Sequence, residues 1–212
     1  MTAQTIDRAA AAGLDAFYPI VPDVDWLRRL VPLGVRTLQL RLKDATDGEI
    51  RRQIAESLEI TRRHGCQLIV NDYWAEAIAL GADYVHLGQE DLAAADVGAL
   101  RAAGIRIGVS THDHTELETA LAIAPDYVAL GPIYETKLKV MKWAPQGLDR
   151  LAEWRARIGD VALVAIGGFT PARATLARGQ GADSVAVITD FITHENPEAR
   201  VREWLDWAVG QG

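Results

Sequence analysis

The stretch Gly81-Ala82-Asp83-Tyr84-Val85-His86-Leu87-Gly88-Gln89-Glu90-Asp91 carries the pattern that decides the fold. A glycine closes a helix, an acid turns the chain, a short apolar run makes a strand, and polar residues gather where the strand ends. The opening part returns as Pro125-Asp126-Tyr127-Val128 and as Gly181-Ala182-Asp183-Ser184-Val185. Internal similarity of this kind is the mark of a repeated βα unit. Working outward, the short runs Phe17–Val21, Thr37–Leu40, Leu68–Val70, Tyr84–Leu87, Arg106–Val109, Tyr127–Leu130, Leu163–Ile166 and Ser184–Ile188 read as strands. Near-continuous runs of Val, Ile, Leu and Tyr are expected where a parallel sheet is covered on both faces.

Helices fall between these runs. Asp25 reads as the cap of a helix toward Leu30. Thr46 with Glu49 reads as a capping box opening a helix to Arg63, and Thr115 with Glu118 repeats that spacing. Thr170-Pro171 places a cap before a proline at the first helical position, and Pro197 opens a last helix carrying Trp204 and Trp207. Gly65 and Gly81 stand where helix C-caps belong. Eight βα units in 212 residues predict an α/β fold, a single (β/α)8 TIM barrel over 1–212, with 1–12 as a flexible or helical extension. The alternative is an open doubly wound sheet. That fold more often carries Gly-x-Gly-x-x-Gly after its first strand, and none follows Val21.

Composition narrows the function classes. The net charge of −7 argues against a non-specific grip on nucleic acid, although a few cations in one cleft still attract a small anion. No apolar run reaches the roughly 18 residues that a membrane span needs. Residues 1–12 lack the basic start and apolar core of a signal peptide. The single cysteine, Cys66, has no internal partner and reads as a small buried residue, which fits a reducing, cytoplasmic setting.

In a barrel of this type the site is built where the strands end. Gln39, Arg41 and Lys43 alternate at the end of the second strand, so one side offers an amide and two cations. The competing reading is a buried amide with two surface charges. Asn71-Asp72 ends the third strand, and Asp91 follows the fourth. One or two carboxylates plus substrate phosphates are the usual holders of Mg²⁺. Each aspartate alone also serves as a turn or capping residue. Ser110 ends the fifth strand. His112 and His114 invite a zinc reading, but no third ligand stands at typical spacing, which favours helix-start chemistry. The sixth strand opens into the longest connection, through Thr136, Lys137, Lys139 and Lys142, which reads as a flap closing on anions. Gly167-Gly168, and the residues after the eighth strand, read as a backbone phosphate cup.

Taken in order, Gln39-Leu40-Arg41-Leu42-Lys43, Val70-Asn71-Asp72, Val85 to Asp91, Gly108-Val109-Ser110, Leu130 to Tyr134 and Ala165 to Gly168 resemble the thiamine phosphate synthase family over nearly the whole chain. The resemblance implies Mg²⁺-dependent joining of a hydroxymethylpyrimidine diphosphate to a thiazole phosphate, with release of pyrophosphate. It implies that Gln39 reads the aminopyrimidine, and that Arg41, Lys43, Asn71 and Lys139 hold the diphosphate. Asp72 and Asp91 would hold Mg²⁺, and Ser110 would contact the pyrimidine substrate near the breaking bond. Thr136, Gly168, Ile188 and Thr189 would hold the thiazole phosphate. Ser110 and Lys139 are the implied catalytic residues, and a homo-oligomer is compatible with the family. Three departures from the family pattern fall in the thiazole half. Glu135 stands where proline is usual, Leu138 lacks a hydroxyl, and Thr189 replaces serine. Two rival readings are a thiazole tautomerase relative using His112 as base, and a non-catalytic barrel that binds a thiamine precursor.

Overall fold

The computed structural model describes residues 7–136 and 143–211. Eight strands, β1 (Phe17–Val21), β2 (Thr37–Leu40), β3 (Gln67–Asn71), β4 (Tyr84–Leu87), β5 (Arg106–Thr111), β6 (Tyr127–Leu130), β7 (Ala162–Ile166) and β8 (Ser184–Val187), pair in parallel in chain order. The eighth returns to the first, closing the barrel. Helices follow as α1 (Arg8–Ala11), α2 (Val24–Leu30), α3 (Asp47–His64), α4 (Trp74–Leu80), α5 (Gln89–Ala94), α6 (Val97–Ala102), α7 (His114–Ala122), α8 (Leu148–Ile158), α9 (Pro171–Gly179), α10 (Thr189–Ile192) and α11 (Pro197–Val209).

Alternation along the strands divides the core in two. Outward residues such as Leu38, Leu40, Val85 and Leu87 join the helices in one large apolar cluster. Inward residues such as Tyr18, Ile69, Tyr84, Tyr127 and Val164 form a second cluster inside the barrel. Helix α3 presents Ile50, Ile54 and Leu58 at four-residue spacing, all buried. Three such side chains give a gross apolar stabilisation on the order of 6 kcal/mol. Thr46 caps this helix by accepting from the Glu49 backbone N–H at 3.4 Å, and Gly65 ends it at φ 64°, where a side chain is disfavoured.

Two of the capping expectations are corrected. Helix α2 is capped by Asp23 and α7 by Asp113, not by Asp25 and Thr115, which lie inside the first turn. The links after β1 and β5 are very short, so the chain enters each helix earlier. Asp23 and Asp113 are extended residues whose carboxylates accept from Trp26 and Glu116. Strand β8 stops at Val187, and Ile188 precedes α10 instead of ending the strand.

The lower end of the barrel is tightly paired. Asp183, the turning acid of the third repeat, accepts from Leu163 N–H at 2.8 Å, Arg155 at 2.7 Å and Arg8 of α1 at 3.2 Å. Residues 7–12 are thus a short capped helix tied to this end, while 1–6 lie outside the described residues. No helix among the described residues is long and apolar enough to cross a membrane.

Candidate active site

Gln39, on β2, is buried inside the barrel, and its Nε2 donates to the Tyr18 hydroxyl at 2.7 Å. The Tyr18 and Tyr127 hydroxyls are 2.9 Å apart. The Tyr127 hydroxyl lies 2.7 Å from His86 Nδ1, and His86 Nε2 lies 2.8 Å from Ser110 Oγ. The His86 and Tyr127 rings stack at 5.6 Å. Burial pushes the imidazole down to about 4, so it is neutral near pH 7. Gly108 makes this arrangement possible, because a Cβ there would sit 2.1 Å from the Tyr127 ring. A small cavity above the network is lined by Gln39, His86, Ser110, Tyr127 and Ile166.

The charged rim lies one layer higher. Asp72 follows β3 at φ 67°, a left-handed conformation uncommon for aspartate, with its N–H donating to His86 O at 2.9 Å. Its carboxylate meets Lys43 Nζ at 3.2 Å. Asp91, in the first turn of α5, faces it across the gap between β3 and β4. Burial, then the charge of Asp72 and a hydrogen bond shared with it, hold the Asp91 carboxyl above its ordinary range. Asn71, at the end of β3, is buried, and its Nδ2 has no acceptor among the described residues. Arg41 is exposed just beyond β2, its backbone N–H tied to Val21 O at 2.8 Å. Thus Lys43, Asp72 and Asp91 are brought together from three neighbouring strand ends, with Asn71 preceding Asp72 at the end of β3.

The cup is built from neighbouring strand ends. After the cis Gly131–Pro132 bond, Ile133 and Tyr134 donate to Ile166 and Gly167 carbonyls at 2.9 and 3.1 Å. Gly168, at φ 70°, packs so closely on this segment that a Cβ would lie 2.6 Å from Glu135 O. Thr136 is half-buried two residues beyond Tyr134. Ile188 and Thr189 stand at the end of β8 and the start of α10, both half-buried. Lys139, Lys137, Leu138 and Lys142 lie outside the described residues.

Comparison with known proteins gives the family. A family model described as thiamine monophosphate synthase matches residues 17–191. The thiamine-phosphate synthase of Rhizobium etli is 58% identical over 192 residues, covering 91% of this chain and 94% of that protein. The thiamine-phosphate synthase of Escherichia coli K12 is 49% identical over 172 residues, covering 81% and 82%. Among solved structures, thiamine phosphate pyrophosphorylase from Pyrococcus furiosus superposes with a TM-score of 0.79 at 25% identity, covering 94% and 98%. The chain belongs to the thiamine monophosphate synthase family.

Within this thiamine monophosphate synthase family member, several groups at the site had no role in the sequence reading. Tyr18 and Tyr127 sit in the network, His86 joins it to Ser110, and Gln89 Nε2 donates to the Ser110 carbonyl at 2.6 Å. A glycine in the interior of a strand, as at Gly108, signals close approach by another group and points to Tyr127. Arg173, in the first turn of α9, donates to the Gly168 carbonyl at 2.6 Å and lies over the Tyr134 ring at 4.6 Å, adding a cation beside the cup. Of the two histidines, His112 serves the start of α7, while His114 reaches across to α8. His112 meets Glu116 at 2.7 Å and His114 meets Glu153 at 2.6 Å, and no group of three or more His, Cys, Asp or Glu side chains among the described residues is placed to hold a metal.

Proposed function

We propose that this chain joins a hydroxymethylpyrimidine diphosphate to a thiazole phosphate, releasing pyrophosphate and thiamine phosphate, with Mg²⁺ as cofactor and the whole chain 1–212 as one catalytic unit. The observation that carries the reading is the rim above Ser110, where Lys43, Asp72 and Asp91 lie together beside the buried Asn71 amide. Two facing carboxylates destabilise each other unless a cation joins them, and hard oxygen donors in that number suit Mg²⁺ completed by phosphate oxygens. Asp72 and Asp91 would hold the ion. When bound it neutralises charge on the departing diphosphate.

The chain's own residues do the rest by position and field. Gln39 presents an amide edge to the aminopyrimidine. Arg41, Lys43, Asn71 and Lys139 engage the diphosphate, and Thr136, Gly168, Ile188 and Thr189 receive the thiazole phosphate. The carbon under attack is benzylic to an electron-rich ring, so its bond to diphosphate breaks before the thiazole nitrogen arrives. Charge then builds on the leaving oxygens, and cations and N–H donors aimed there lower the barrier. Ser110 would meet the pyrimidine substrate beside that bond. No protein nucleophile or general base is required. The buried, neutral His86 has both ring nitrogens engaged and is placed to orient groups instead of moving a proton. The Cys66 thiol, which burial pushes up to about 12, stays protonated and takes no part in the reaction, compatible with a cytoplasmic setting.

Purified protein mixed with pyrimidine diphosphate, thiazole phosphate and Mg²⁺ should yield thiamine phosphate and pyrophosphate in equal amounts, and chelator should stop both. Turnover that ignores chelator would point to the tautomerase. Binding without pyrophosphate would point to a carrier. Lys139→Ala should lower turnover about a hundredfold, the typical loss of one transition-state contact. Wild-type turnover in that variant would remove Lys139 from the leaving-group role.

A further inference from the structure

The inside of an eight-stranded barrel is ordinarily filled by branched aliphatic side chains. Here four successive hydrogen bonds cross it, joining Gln39, Tyr18, Tyr127, His86 and Ser110 at 2.7, 2.9, 2.7 and 2.8 Å. Buried hydroxyls and imidazoles are costly unless satisfied, and here each has a partner in the run.

Counting protons gives the run a direction. Gln39 Nε2 is a donor, and it donates to the Tyr18 oxygen. The single Tyr18 proton is then free to go to Tyr127, and the single Tyr127 proton to His86 Nδ1. A neutral imidazole that accepts at Nδ1 carries its hydrogen on Nε2, where it meets Ser110 Oγ. The Ser110 proton has no remaining claimant among the described residues inside the barrel. It faces the cavity beneath the charged rim of Lys43, Asp72 and Asp91.

We propose that these five side chains form a one-way hydrogen-bond relay, which fixes His86 as the Nε2–H tautomer and commits the Ser110 hydroxyl to donate into the site. Tyr18, Tyr127 and His86 are positioning residues, acting on the ligand through Ser110. The consequence for specificity is directional. The Ser110 proton is offered to an anionic or lone-pair-bearing oxygen, while one Oγ lone pair is held by His86 and is closed to a ligand donor. Aligned hydrogen bonds polarise one another, so the last donor in the run is stronger than an isolated serine. The assignment of that oxygen to a leaving diphosphate rests on the proposed function. The tautomer does not.

Two-bond proton–nitrogen NMR on the whole ¹⁵N-histidine-labelled protein tests this, with His86 identified by the signal lost in His86→Gln. The relay requires the proton on Nε2 in the protein without substrate. An Nδ1–H tautomer, or a mixture of the two, would overturn it whatever the protein catalyses. Tyr127→Phe keeps the ring and removes the donor, so the His86 signal should become a mixture. If the coupling reaction is observed, Tyr127→Phe should lower kcat about tenfold with KM little changed, the size expected for one neutral hydrogen bond. That loss should vanish in a Ser110→Ala background. Additive losses in the two variants would mean that Tyr127 acts by another route. If Tyr127→Phe does not fold, the wild-type tautomer alone decides the question. If no turnover is found at all, the proposed function fails while the tautomer result stands.

Discussion

At the lower end of the barrel Asp183 is held by two arginines and a backbone N–H, all at 2.7 to 3.2 Å. At the upper end Asp72 sits in a left-handed turn with one lysine at 3.2 Å and a second carboxylate, Asp91, facing it. Both acids begin or follow a strand. One is compensated from every side and the other is crowded by its like. The first arrangement stabilises the fold without any ligand. The second is unfavourable in isolation, and on the proposed function a cation and an anion entering together would offset it. Conserving energy at one end and leaving charges uncompensated at the other is the division of labour expected of a barrel whose strand ends carry the chemistry.

The contrast breaks in a definite order. Asp183→Ala leaves two partly buried guanidinium groups without their acceptor, and should lower unfolding stability by roughly 3–5 kcal/mol, read by denaturant melts. Activity per folded molecule should be unchanged, and a stable but inactive variant would contradict the comparison. Asp72→Asn and Asp91→Asn should do the reverse. Each should lower turnover by about a hundredfold, roughly 3 kcal/mol, while melting no earlier than wild type. A Mg²⁺ titration of these variants should need far more metal to reach half-activity.

Between the two ends, His86 gives a pH signature. Its folded value, about 4, lies below the ordinary 6.5 because of burial, so the unfolded chain binds the extra proton first. The stability associated with this residue is whole above pH 6.5 and is lost as the pH falls toward 4, by on the order of 3 kcal/mol. The wild-type stability profile minus that of His86→Gln should show this acid slope. A flat difference would mean that the ring takes up its proton as readily in the folded protein as in the unfolded chain. The smallest effect concerns a purely structural acid at the upper end. Asp113→Ala should cost about 1 kcal/mol by loss of a helix cap, and Thr115→Ala less than about 0.5 kcal/mol. Comparable losses would return the cap to Thr115.

Much of the barrel was legible because its strands are apolar on both faces. The bounds of β1, β2, β4 and β6 match the runs read from the sequence. Strands β3 and β5 extend further, to Asn71 and Thr111, because their last inward residues are polar and read as loop. The caps at Asp23 and Asp113 were missed because several hydroxyls and acids crowd each first turn, and the length of the preceding link decides among them. At the site, Arg41 and Lys43 stand exposed beyond the end of β2, as in the reading of a buried amide with two surface charges, whereas the nearness of Asp72 and Asp91 followed from strand order. The contact of Tyr18 with Tyr127 did not. They are 109 residues apart in sequence. Periodicity says that both point inward, but only closure of the sheet brings the hydroxyls together.

The bare backbone at Gly108 has a practical meaning for anyone reshaping this enzyme. Because a methyl group there would collide with the Tyr127 ring at 2.1 Å, positions 108 and 127 share one parcel of volume across neighbouring strands. A redesign for a bulkier or slimmer heterocycle has to exchange the two together, trading the phenol for a smaller side chain whenever strand β5 gains a carbon. Single substitutions at either position test only half of that design unit.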